Sequence, residues 1–75
     1  MEIQEFIKHF AGEFDETPMD EFTPQTDYKT LDEWNSLTAL SIIAMVDEVY
    51  KKTITGADLR HHNSIEELWK FVENK

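Results

Sequence analysis

Three kinds of side chain in this sequence could do chemistry: a serine within the stretch EWNSL at residues 33–37, a histidine pair at His61 and His62, and sixteen carboxylates. Ser36 with a histidine and an acid supplies the residue types of a nucleophilic triad. A working triad also needs a base oriented by a third group and an oxyanion hole in a water-restricted cleft. A chain of 75 residues offers little scaffold for either, so a small hydrolase is not expected. The histidines invite a metal reading, but neighbours on a short loop point in different directions and no third ligand has fitting spacing. They read as solvated loop residues beside Asn63. The acids of the first loop lack the spaced Asp/Asn and Gly pattern of a calcium site and read as a solvated surface that faces a partner.

The elements that must position these groups follow from periodicity. Ile3, Phe6, Ile7, Phe10 and Phe14 fall on one stripe at spacings of three and four, which predicts a first helix weakened at its end by Gly12. Residues 15–35 carry Pro18 and Pro24 and predict a long loop, with one turn starting at Thr17-Pro18 and ending near Phe22. Residues 13–35 hold eight acids against one lysine. A connection this long in a small domain is normally functional or partly structured. From Ser36 to about Lys51 the pattern predicts a central helix whose core face is Ala39, Ile42, Ile43, Val46, Val49 and Tyr50. Leu37, Leu40, Ser41, Ala44 and Glu48 lie opposite, where no core requires apolar residues. Lys51-Lys52 suit the negative end of that helix. Thr55-Gly-Ala-Asp58 predicts a capped short helix to Leu59 or Arg60. Ser64-Ile-Glu-Glu67 matches a capping box before a last helix, with Ile65, Leu68, Trp69 and Val72 on one face.

Together these predict an all-α fold and a single domain over residues 1–75, near the size at which one core gives only marginal stability. Without cysteine, and with no Cys/His spacing for zinc, packed apolar side chains must hold it together. The opening MEIQEF is no signal peptide and no window approaches the roughly 20 apolar residues of a membrane span, so a cytoplasmic chain is expected. A formal charge of -9 argues against nucleic acid and anionic membranes, both of which need clustered cations. Basic patches on other proteins are the natural complement.

Ser36 itself has two readings. Asn35 and Ser36 are both favoured helix-cap residues; alternatively, the serine is a point of covalent attachment. At LDEWNSLTALSIIAMVDEVY, residues 31–50, the chain resembles the acyl carrier proteins and the wider phosphopantetheine carriers, whose signature is Asp-Ser-Leu at the start of the second helix. With less specific signals, the resemblance extends from about Ile3 to Glu73 and takes in the long first loop, the short third helix and the acidic balance.

The resemblance implies a four-helix acyl-carrier-type bundle with three main helices, one short third helix and a long first loop. It implies 4'-phosphopantetheine on Ser36, donated by coenzyme A through a phosphopantetheinyl transferase. The exposed N–H groups and dipole of a helix start favour such a phosphodiester. The arm supplies a thiol to a chain that has none, and acyl-loading and acyl-processing enzymes with basic docking patches do the chemistry. The chain is then a monomeric carrier and not an enzyme, serving fatty-acid, polyketide or other specialised biosynthesis, or an aminoacyl or aryl variant of it. Its length implies a freestanding carrier. Leu37 matches the family's exposed leucine; Leu40, Ala44, Asp47 and Glu48 complete the docking surface. Asn35 departs from the family's aspartate: it caps as well, but removes a negative charge beside the serine. The second helix is also poorer in acids than in fatty-acid carriers, which favours a dedicated partner set. Its core face, with Phe6, Phe10 and Val72 opposite, could open around an acyl chain, or Trp34, Trp69 and Tyr50 could fill that space. The rival of another class is an unmodified helical interaction module with the same fold, its acidic surface binding a basic partner and Ser36 only a cap.

Overall fold

Every α-helix of this chain starts where a polar side chain accepts the N–H groups that a first turn leaves without partners. In the computed structural model, which describes residues 1–75, the elements are α1 (Ile3–Ala11), 3-10 turns at Met19–Glu21 and Tyr28–Thr30, α2 (Ser36–Tyr50), α3 (Gly56–His61) and α4 (Ile65–Glu73). The N-caps of the four helices are Glu2, Asn35, Thr55 and Ser64. Thr55 and Asp58 form a reciprocal capping box with bonds of 3.1 and 2.9 Å. Ser64 completes only half of the expected box. Its hydroxyl accepts the Glu67 N–H at 3.1 Å, but the Glu67 carboxylate reaches past it to the Asn63 N–H at 3.0 Å.

The all-helical class, three main helices, short third helix and long first loop are as the pattern predicts, with no strand. No helix is long and apolar enough to cross a membrane. Helix α1 packs on α2 and α4, and α2 packs on α3. Their shared core takes Phe6, Ile7 and Phe10 from α1, Ile42, Met45 and Val46 from α2, and Ile65, Leu68 and Val72 from α4.

The first loop joins this core instead of lying outside it. Phe22 and Tyr28 are buried, and Phe10 is the ring they surround: centroids lie 5.5 Å away for Tyr28, 5.6 Å for Phe14 and 6.3 Å for Phe22. Burying an aromatic side chain contributes roughly 1.5–3 kcal/mol, enough to hold a loop without long secondary structure. The turn at Met19–Glu21 follows Pro18 and ends at Phe22 as predicted. The turn at Tyr28–Thr30, capped by the Asp27 carboxylate, has no counterpart in the sequence reading. It inserts the Tyr28 hydroxyl under α3, where it donates to the Leu59 carbonyl at 2.6 Å. Burial, reinforced by Asp27 and Glu67, pushes this phenol well above its ordinary pKa.

Four details differ from the sequence reading. Helix α1 stops at Ala11, so Phe14 is not on its stripe; the chain turns at Gly12 and brings Phe14 under the helix end, still buried. Met45 replaces Val49 in the core, and Val49 is 41% exposed. Lys51 ends α2 in the left-handed conformation, φ 59°, while Lys52 serves another helix: its ammonium donates to the Val72, Glu73 and Lys75 carbonyls at the end of α4. His62 is half-buried and not a freely solvated loop residue. Its ring lies 4.7 Å from that of Phe71 and its Nδ1 is 2.8 Å from the Asp58 carbonyl.

Candidate functional site

The residues leading into α2 are fixed from three sides. The Glu33 carboxylate accepts the N–H groups of Asp15, Glu16 and Thr17, at 3.1, 3.0 and 2.6 Å, and also the Thr17 hydroxyl. The Thr17 hydroxyl leads the causes that hold the Glu33 carboxyl below its usual pKa range, partial desolvation opposes it, and the three N–H groups add to it. The Glu33 carbonyl accepts the Thr38 hydroxyl at 2.6 Å, closing the first turn of α2 onto its approach. Trp34 packs on Tyr28 with centroids 4.9 Å apart and lies parallel to Phe10 at 6.5 Å.

Asn35 is the cap of α2. Its Oδ1 accepts the N–H groups of Leu37 and Thr38 at 2.9 and 3.0 Å, with an extended backbone at φ -157°. Ser36 is therefore the first helical residue, not the cap, and its exposed hydroxyl makes no hydrogen bond within the chain. The cap reading of Ser36 is overturned because Asn35 already occupies the donors that a Ser36 cap would serve.

On the outer face of α2, Leu37 is 75% and Leu40 61% exposed, and Ala44, Asp47 and Glu48 are exposed along the same helix. The structure thus places all seven site residues named from sequence at the surface, five of them running down α2 from Ser36. Val49 adds an exposed apolar residue at the far end.

Ser36 borders one of two grooves of opposite character that meet at Asn35. One, of about 300 Å³, opens between α2 and α3; among its walls are Lys29, Trp34, Asn35, Ser36, Leu59 and Arg60. The other, of about 280 Å³, includes Glu13, Asp15, Glu33 and Leu37, and Asn35 borders both. The only ion pair of the chain joins the Met1 ammonium to Glu73 at 3.4 Å, so neither Lys29 nor Arg60 has a carboxylate within ion-pair distance. Lys29 Nζ donates to neutral acceptors, the Arg60 carbonyl at 3.0 Å and Asn63 Oδ1 at 3.1 Å. The Arg60 guanidinium folds over Gly56, where an added β-carbon would meet Nη1 at 3.4 Å.

No protein-family model, curated protein or solved structure matches this chain.

His61 is exposed at the end of α3 and His62 borders a separate groove with Glu67, Lys70 and Phe71, so neither histidine meets Ser36. No three His, Asp or Glu side chains converge as a metal site. All four cavities are open grooves, and none is lined mainly by apolar side chains. Trp34 and Tyr50 pack against Phe10 and Phe6 as one of the two expectations had it, whereas the Trp69 indole donates to the Met1 carbonyl at 3.2 Å.

Three residues of the site escaped the sequence reading: Glu33, Lys29 and Arg60. Lys29 carried a usable signal, as the single cation among the eight acids of residues 13–35. Arg60 and Glu33 carried none, since their roles depend on partners brought together from distant parts of the chain.

Proposed function

We propose that this chain is an acyl carrier domain, modified at Ser36 with 4'-phosphopantetheine. The observation that carries this reading is the Ser36 hydroxyl: exposed, free of hydrogen bonds, and held at the start of α2 by neighbours that do the structural work in its place. A serine in that position has a fixed backbone and a hydroxyl with no bond to give up when modified.

The groove beside Ser36 suits the arm chemically, with two cations for a phosphodiester and Trp34 and Ala39 for its apolar part. Attachment forms a bond from Ser36 Oγ to phosphorus as the bond to the departing adenosine 3',5'-bisphosphate of coenzyme A breaks; a base of the transferase takes the serine proton. The arm contributes a terminal thiol that holds an acyl group as a thioester. The residues of this chain position and present: Asn35 and Glu33 fix the helix start, and Leu37, Leu40 and Ala44 offer an apolar strip flanked by Asp47 and Glu48 to enzymes with basic docking patches. Exposed leucines surrounded by charge are a frequent contact pattern.

The test is intact mass after incubation with coenzyme A, magnesium and a broad-specificity phosphopantetheinyl transferase. The reading expects one phosphopantetheine on the parent and none on Ser36→Ala. No addition to the parent or to Asn35→Asp, with a known carrier modified in parallel, would overturn it in favour of an unmodified interaction module. Addition to Asn35→Asp alone would locate the block in that transferase's demand for the aspartate.

A further inference from the structure

We propose that the groove along the outer face of α4, walled by His62, Glu67, Lys70, Phe71, Asn74 and Lys75, is a docking site for an acidic segment of a partner protein. It shares no wall with the groove beside Ser36, and its occupation does not depend on the carrier reading.

The first ground is position. Glu67, Lys70, Phe71 and the C-cap Asn74 follow one another at spacings of three and four, so they form one face of α4. The core takes Ile65, Leu68 and Val72 from that helix, which lie on a different face. The outer face is left without a partner in the chain, although the groove over it, at about 480 Å³, is the largest of the four.

The second ground is charge. Sixteen acids against seven Lys and Arg residues make most of this surface repel an acidic chain. Here the balance is reversed: two lysines stand against one acid, Glu67, whose carboxylate is engaged by the Asn63 N–H at 3.0 Å. Lys52 adds a third ammonium at the same end of α4, on the carbonyls of Val72, Glu73 and Lys75. The two grooves bordered by Glu33 carry acids and no cation, so an acidic segment is turned away there. The groove beside Ser36 is also walled by cations, but its Lys29 is already held by the Arg60 carbonyl and Asn63.

The third ground is the apolar surface between the charges. The half-buried Phe71 ring has the His62 ring centroid 4.7 Å from its own and the Lys75 ammonium 4.9 Å from its centre. A carbonyl oxygen only accepts, so the 2.8 Å contact with Asp58 puts a proton on His62 Nδ1 and holds that ring in place. From Glu67 to Asn74 the face runs roughly 10 Å, about the length of three extended residues. A segment with carboxylates on either side of an apolar residue matches that sequence of lysines and ring, whereas a single small anion leaves most of the groove uncovered.

The experiment is a proton–nitrogen NMR titration of the full chain with two synthetic peptides of neutral ends. One has phenylalanine between pairs of glutamates, and in the other glutamines replace the glutamates. The glutamate peptide is expected to shift the Lys70, Phe71, Asn74 and Lys75 amides of the parent saturably, and less so as salt is added. The double variant Lys70→Gln/Lys75→Gln is expected to bind it about tenfold more weakly, as the loss of two exposed ion pairs implies, and the glutamine peptide to bind the parent no better than that. A spectrum of the free double variant that matches the parent away from α4 verifies that the fold is kept. Absence of saturable shifts, shifts that fall at Lys29, Ser36 and Arg60 instead, or equal binding by the double variant would overturn the proposal. Glutarate that shifts the same amides as strongly as the peptide would overturn it in favour of a site for small carboxylates. None of these outcomes bears on modification of Ser36.

Discussion

The Tyr28 hydroxyl lies 2.6 Å from the Leu59 carbonyl and 3.1 Å from that of His62, so one loop residue ties down both ends of the turn that closes α3. Through this contact the first loop sets the position of one wall of the Ser36 groove. Its removal should be felt in stability and at the site.

Tyr28→Phe is expected to lose about 1–3 kcal/mol, because the buried Leu59 carbonyl loses its donor. For a chain of this size each kcal/mol corresponds to about 4–8 °C in Tm. Urea unfolding near neutral pH measures it. Because the folded-state phenol is raised, its contribution is complete below the unfolded tyrosine pKa of about 10 and disappears as pH rises toward the folded value. The alkaline loss of stability should be shallower in Tyr28→Phe; equal slopes would sink that assignment.

Glu33 should give the domain an acid weakness. Its folded-state pKa is depressed, so the stability it contributes is complete above the unfolded value of about 4.3 and is lost as pH falls through the lower folded value. Unfolding free energies measured from pH 7 downward should fall less steeply for Glu33→Gln than for the parent. Parallel curves would mean that the carboxylate's bonds to Asp15, Glu16 and Thr17 contribute nothing.

Asn35 and Ser36 should separate cleanly. Asn35→Ala is expected to cost about 1 kcal/mol as a lost N-cap, and Ser36→Ala to stay within about 0.5 kcal/mol of the parent. Thermal melts of both variants decide it; the opposite order would return Ser36 to a capping role.

Tyr50 carries the one buried side-chain oxygen without a partner, and burial, with Glu5 and Glu2 adding, raises its pKa. Its ring packs against Phe6 at 5.8 Å and His9 at 6.0 Å, and that packing survives the loss of the hydroxyl. Tyr50→Phe should be as stable as the parent or up to about 1 kcal/mol more stable. A clear loss in calorimetry would reveal a bond to solvent at that oxygen.

What sequence made legible was whatever depends on neighbours along the chain. Asn35, Thr55 and Ser64 announce helix starts through local hydrogen bonds, and the exposure of Leu37, Leu40 and Ala44 follows from helical spacing. Contacts between distant segments were opaque. Nothing in Glu33 says that it will hold Thr17, and nothing in Lys52 says that it will cap α4. Val49 and Met45 exchanged places because the face of an almost wholly apolar helix is chosen by its neighbours and not by its own pattern.

The filled interior also bears on time. Phe10, Phe14, Phe22, Tyr28 and Trp34 pack ring against ring and leave no hollow among them. For the proposed carrier, an acyl group that left this packing as it is would hang outside, open to water and passing nucleophiles. Such a load would be perishable.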